Sequence, residues 1–276
     1  MKIEALQADC KNCAGLCCVA LYFSASEGFP LDKKEGLPCM NLREDFRCGI
    51  HEELREWGLK GCMAYDCYGA GPKTVQHTFG GISWRERPET AEQMYQIYLI
   101  QRDLHEMLWY LWQGTGFAGE ENLREEAKAL FQETENISRK EISFLLGFSV
   151  EEHRAKVGAL LRAVSQEVRQ QKMGKWPKAL TRPKMVGGRP AFMGLDLHGA
   201  DLSGADFRGS LLIAADLSGA DLTGADFLGA DLRDVDVRGA NLKDSLFLTQ
   251  KQLWNAKGDP GTKLPAFLDC PFSWEL

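Results

Sequence analysis

Nowhere do the 276 residues approach the ~20 consecutive apolar positions that a membrane-spanning helix requires. The first residues lack the apolar core of a signal peptide, because Glu4 and Asp9 interrupt them, so a cytoplasmic location is expected. Histidine is scarce, at five residues, and no H-E-x-x-H pair occurs. A nucleophile elbow, a phosphate loop and a dinucleotide fingerprint are also missing, which leaves the common hydrolase, NTPase and dehydrogenase chemistries without support. A formal charge of −6 argues against general nucleic-acid binding.

Cysteine is not scarce. There are nine, and eight stand between Cys10 and Cys67: Cys10, Cys13, Cys17, Cys18, Cys39, Cys48, Cys62 and Cys67. In a cytosolic chain clustered thiols point to metal rather than disulfides. Thiolates suit zinc, Fe–S clusters and Cu(I). Eight could form two four-cysteine sites, or one site beside redox or structural thiols. Adjacent Cys17 and Cys18 are expected to point in different directions and so to serve different metals or a bridging position. The spacing is neither that of bacterial ferredoxins nor that of radical enzymes. A closed zinc site without chemistry and a working metal centre both remain open. His51 is a further ligand candidate, although packing explains that position as well. Cys270 stands apart from the cluster. Gly69-Ala70-Gly71-Pro72 after Cys67 is either an ordinary turn or a source of N–H groups for cluster sulfur or an anion. The stretches Cys10…Cys17-Cys18, Pro38-Cys39-Met40-Asn41-Leu42, Phe46-Arg47-Cys48-Gly49-Ile50-His51 and Gly61-Cys62…Cys67 resemble the cysteine-rich family of zinc- or iron-chelating proteins. That resemblance covers about residues 8–72 and implies a zinc or iron cofactor held by the eight cysteines.

The last third of the chain repeats every five residues. Twelve pentapeptides from Pro190 to Thr249 carry a large apolar centre: Phe192, Leu197, Leu202, Phe207, Leu212, Leu217, Leu222, Phe227, Leu232, Val237, Leu242 and Phe247. Two positions earlier the residue is mostly small, typically alanine. One large and one small inward side chain per side fill a narrow interior. The residue between them is Asp in eight units and Asn241 in a ninth, and it should face water. Glycine at the fifth position turns the corner. A period of five fits neither a helix nor a strand but suits a square solenoid coil. The pattern resembles the pentapeptide-repeat family, which implies a right-handed quadrilateral β-helix of about three coils, ~14 Å tall. Departures at Ser210-Leu211, Val235 and Ser245-Leu246 suggest a distorted or covered face. Leu248 to Ala256 reads as a capping helix.

Between these regions, residues 88–171 read as helices. Thr90 with Gln93, Ser138 with Glu141 and Ser149 with Glu152 have capping-box spacing. One stripe is Ile97, Ile100, Leu104, Met107 and Leu111; another is Val157, Leu160, Leu161, Val164 and Val168. A helix from Glu120 to about Thr134 lies between them. His105, beside the first stripe, reads as a core or boundary residue. The stretch 172–189 holds Lys172, Lys175, Lys178, Arg182, Lys184 and Arg189 with no acid, and reads as a connector against acidic neighbours. Its Gly187-Gly188 pair is expected to follow no strand.

The expected organisation is therefore a cysteine-rich metal module (1–87), a helical region (88–171), a basic linker (172–189), the repeat β-helix (190–249), and a cap with tail (250–276). The function expected is that of a cytosolic metal-binding protein whose repeats form a surface for a protein partner. Two alternatives are an iron or Fe–S enzyme or enzyme subunit acting on a peptide or protein, and a DNA-mimicking topoisomerase-protection protein. The last draws on ten Asp against four Lys/Arg in the repeats, a net charge of 4 − 10 = −6.

Overall fold

The computed structural model describes residues 3–274 apart from 26–28, 30, 55, 64, 175, 178, 179, 181 and 182. The chain divides into two compact units, Met1–Thr115 with Arg124–Leu161, and Gly116–Leu123 with Arg162–Leu276.

In the first unit the cysteine-rich part is built from turns and very short helices: α1 (Leu16–Ala20), α2 (Lys60–Met63) and α3 (Ala70–Pro72). The last runs straight into a π-helical segment, Lys73–Thr78. Two apolar clusters hold this part. One gathers Leu16, Val19, Val75, Met94 and Tyr98; the other gathers Phe23, Phe29, Leu54 and Leu59. Four further helices follow: α4 (Ala91–Phe117), α5 (Glu121–Ser138), α6 (Ile142–Leu146) and α7 (Val150–Lys172). Ile97, Leu104, Met107 and Leu111 are buried along α4, and Val157, Leu160, Leu161 and Val164 along α7, as their spacing requires.

The capping expectations fare unevenly. Ser149 Oγ accepts from the N–H of Glu152 at 3.4 Å. Thr90 instead closes a 3₁₀ turn, its hydroxyl donating to Arg87 O at 3.0 Å. Ser138 ends α5 rather than opening α6, and donates to Glu135 O at 2.8 Å. Both hydroxyls are taken by a carbonyl of the preceding turn, the standard competitor of a cap. Thr134 likewise donates to Leu130 O at 2.7 Å, so α5 continues past it.

In the second unit the repeats coil upon themselves. Parallel bridges join residues twenty apart: Asp196↔Asp216↔Asp236, Asp201↔Asp221↔Asn241 and Asp206↔Asp226↔Leu246. Five residues per side and four sides per turn give this interval. The central residues are buried, with Phe207 and Phe227 stacked at 5.4 Å. The coil extends further than twelve units predict, because Lys257 bridges Asp236 and Lys263 bridges Asn241. The capping helix α8 (Gln250–Trp254) opens with a formed capping box of Thr249 and Gln252. Gln252 Nε2 also donates to Phe227 O and Ala230 O, tying the cap to the coil beneath.

Two expectations about the surroundings of the coil need correction. Gly187 and Gly188 do follow a strand: β1 (Lys184–Val186) pairs antiparallel with β2 (Arg189–Ala191) across them. Their φ values of 56° and 76° suit a two-residue turn that only glycine takes without strain. Asp226, expected in water, is fully buried. The end of α7 covers its side of the coil: Lys172 and Val168 lie against Gly224, and Arg169 O against Gly204. Leu246, which bridges Asp226 in the same row, is likewise completely buried at an outward position. Ser210 and Ser245, at inward positions, donate to Phe207 O and Leu222 O, so these departures disturb nothing. Of the basic connector, Lys175, Lys178 and Arg182 lie outside the described residues. Gly174 lies against the Asp201 carboxylate, and Trp176 donates to Ser203 O at 2.9 Å.

Candidate functional site

The two apolar clusters divide five of the cysteines between them, and α1 carries Cys17 and Cys18. Cys13, Cys17 and Cys67 pack on the cluster of Leu16 and Tyr98, and Cys39 and Cys62 pack on that of Phe23 and Leu59. Cys10 and Cys13 each lie within electrostatic reach of Cys17, and Cys13 also of Cys67. Cys62 and Cys48 lie within reach of Cys39 and Cys17. Cys39 N–H donates to Cys18 O at 2.9 Å, which brings Cys18 to the second set. Cys17 Sγ and Cys18 Sγ are 3.9 Å apart, so the adjacent thiols converge instead of diverging. Two thiolates on one tetrahedral zinc would stand ~3.8 Å apart, given Zn–S bonds near 2.3 Å. Among the described residues, however, no three Cys, His, Asp or Glu side chains stand together at metal-ligand spacing.

The environment of these sulfurs pulls in two directions. Burial pushes the Cys13 and Cys62 thiols up to about 12 and Cys67 up to about 11. Cys17 is held well above the usual thiol range by its contact with Cys18 and by burial. Against this, backbone N–H groups are aimed at sulfur. Asn41 donates to Cys39 Sγ at 3.5 Å. The amides of Leu16, of Ile50, and of Gly71 and Gly69 favour the charged forms of Cys13, Cys48 and Cys67 respectively. The Gly69–Pro72 turn thus presents donors to a cluster sulfur. His51 sits exposed on a 3₁₀ turn, and Cys270 is exposed in the second unit.

The outer faces of the coil are more neutral than the composition suggests. Each repeat Asp folds back on its own turn, its Oδ1 accepting from the N–H two residues on, as Asp221 does from Thr223 at 3.0 Å. Arg208, Arg233 and Arg238 pair with Asp206, Asp231 and Asp236.

The family described as "Pentapeptide repeats (8 copies)" matches residues 192–227 and 210–247. The "Uncharacterized protein YybG" of Bacillus subtilis (strain 168) is 48% identical over 270 residues, spanning 98% of this chain and 95% of that protein. The chain belongs to the YybG family and carries pentapeptide repeats. A solved pentapeptide repeat protein from the Arabidopsis thaliana thylakoid lumen is 28% identical, covering 37% of this chain and 78% of its own, with a TM-score of 0.14.

The repeats were legible in this YybG-family chain, but a cavity in its first unit was not. It measures about 620 Å³ and is lined by Lys73, His77, His105, Arg139 and Lys140, with Glu4, Asp9 and Gly69. His105 is buried as expected, yet only half satisfied. Its Nδ1 bonds to Tyr68 O at 2.7 Å, while Nε2 has no partner. Burial pulls its pKa down to about 4, against the raising effect of the Tyr68 carbonyl. A neutral ring with Nδ1–H on a carbonyl leaves Nε2 as a bare acceptor. The sequence held one hint, the basic pair Arg139-Lys140 at a helix end, whose distance of more than sixty residues from Lys73 hid their convergence.

Proposed function

We propose that this protein binds metal in a cytoplasmic setting, with Cys10, Cys13, Cys17, Cys18, Cys39, Cys48, Cys62 and Cys67 holding zinc or iron, the latter as ions or an Fe–S cluster, and that its repeats offer a surface to a protein partner. The carrying observation is the set of backbone N–H groups turned toward cysteine sulfur. An amide donor favours thiolate over thiol, and buried thiolates gathered this closely repel one another unless a cation lies among them. The donor chemistry therefore fits a thiophilic metal. Bound zinc would cross-link the turns of a module with little core of its own, and iron–sulfur would in addition carry an electron.

Elemental and sulfide analysis of protein purified without oxygen tests this reading. Zinc or iron at one to two equivalents supports it. Nine titratable thiols with no bound metal in that preparation would overturn it.

One observation favours the second reading, an iron or Fe–S enzyme acting on a peptide or protein. The cavity is lined by Asp9 and Gly69, close in sequence to Cys10 and Cys67. A DNA-mimicking role fits less well, because Arg208, Arg233 and Arg238 neutralise carboxylates that a mimic would need to display.

A further inference from the structure

The cavity of the first unit gathers positive charge around a hydrogen-bond acceptor. Lys73 lies half-buried, and burial together with the nearby Arg139 guanidinium disfavours its charged form, with Glu135 opposing. Lys73 and His77 both lie within electrostatic reach of His105. Arg139 spends part of its charge on Glu135, at 2.6 Å, but remains more than half exposed. Lys140 adds a further exposed cation. Of the two acids on the wall, Asp9 is engaged by Lys11 N–H and the Asn12 amide. The wall that carries Lys73, His77 and Thr78 is the π-helical segment, a rare conformation that is frequent at functional sites.

Two features therefore stand out. Cations converge in a partly desolvated site, where they repel, and the buried Nε2 of His105 has no protein hydrogen-bond partner. One ligand chemistry answers both: an anion that also brings a hydroxyl donor. The volume, within the range of small-molecule sites, exceeds what a bare inorganic anion fills. Several converging cations suit a dianion better than a single carboxylate.

We propose that this cavity binds a phosphorylated polyhydroxy metabolite of the sugar-phosphate class, with its phosphate against Lys73, Arg139 and Lys140 and a hydroxyl donating to Nε2 of His105. No cysteine is among the residues that line it, and the binding needs no metal chemistry.

Calorimetric titration of the full-length protein with ribose 5-phosphate, inorganic phosphate and sulfate tests it. Ribose 5-phosphate should bind most tightly. The double variant Arg139→Met, Lys140→Met should abolish detectable binding; because it also unpairs the buried Glu135 from Arg139, its thermal melt is measured beside the titration to show that it is folded. His105→Phe should weaken ribose 5-phosphate by about tenfold, the loss of one buried hydrogen bond, and leave inorganic phosphate unchanged. No binding of ribose 5-phosphate at millimolar concentration overturns the proposal, as does binding untouched by the double variant. Equal affinity for ribose 5-phosphate and inorganic phosphate overturns the hydroxyl contact to His105. Should His105→Phe not fold, the comparison of the three anions on the parent protein and the double variant still decides the matter.

Discussion

Gly71 and Cys13 approach so closely that a Cβ on the glycine would stand 2.5 Å from Cys13 Sγ. The backbone of Gly71 is ordinary at this point, since its φ is not positive. The glycine is therefore needed for the room it leaves to a sulfur. Its N–H also favours the thiolate of Cys67, so one residue serves two candidate ligands. Gly71→Ala should displace Cys13 and bring metal content down to that of Cys13→Ser, measured by elemental analysis beside a thermal melt. Metal at the parent level in Gly71→Ala would show that Cys13 is not a ligand.

Ala214 takes a corner that glycine takes in most other units, with φ of 57° against 62° at Gly209 and 66° at Gly219. A Cβ in the left-handed region costs about 1–2 kcal/mol. Ala214→Gly should stabilise the repeat unit by about 0.5–1 kcal/mol once the greater freedom of unfolded glycine is subtracted. Denaturant melts with an unchanged slope would establish this, and a loss of stability would refute it.

Asp226 makes stability depend on pH. Burial raises its pKa to about 6, with Ser165, the Leu228 N–H and Arg208 pulling the other way. Ser165 lies close enough to favour the ionised form yet outside hydrogen-bond geometry, so Oδ2 has no hydrogen-bond partner. Arg208 Nε approaches it at 3.6 Å. The folded chain therefore keeps a proton that the unfolded chain, with its ordinary value of 3.8, has lost. The contribution is fully present below pH ~4 and is lost as pH rises through ~6. At pH 7 the ionised group costs up to about 3 kcal/mol. Asp226→Asn should raise stability at pH 7 by about 1–3 kcal/mol and show little gain at pH 4. A gain equal at both values would sink the argument.

Neighbours in one repeat should respond in opposite ways. Leu222 is completely buried, so Leu222→Asp places a charge between stacked coils and should cost more than about 4 kcal/mol. Asp221 is exposed and uses its Oδ1 as an acceptor, a role Asn retains, so Asp221→Asn should change stability by less than about 0.5 kcal/mol. Urea melts of the two variants give the comparison, and the reverse order would mean that inward and outward positions had been confused.

A contact surface on the repeats must use carboxylates that are available. Asp226 is buried and Asp206 is bridged to Arg169 at 3.0 Å, so that row offers little. Asp196 and Asp221 are exposed. If the repeats hold a protein partner as proposed, changing both to Lys should preserve folding while slowing association with that partner and inverting its salt dependence. An association rate unaffected by the reversal would place any contact elsewhere.

The sequence alone determined the coil. Every five residues the same choice recurs, large then small, and that period leaves one way to bury Leu202, Leu222 and Leu242 in register. It also marked the thiols and the stripes of α4 and α7, because local spacing decides which side chains share a face. Tertiary structure decided whatever depends on a neighbour distant in sequence. Asp221 and Asp226 are identical in sequence terms, yet one meets water and the other is buried by the end of α7. Ser138 and Ser149 both have capping spacing, but only one caps, because Ser138 found the Glu135 carbonyl first. Lys73, His105 and Arg139 meet at one cavity only because packing brings together residues that no period connects. Local pattern sets which residues turn inward; burial, charge and hydrogen-bond supply at each position are set by what the rest of the chain places against it.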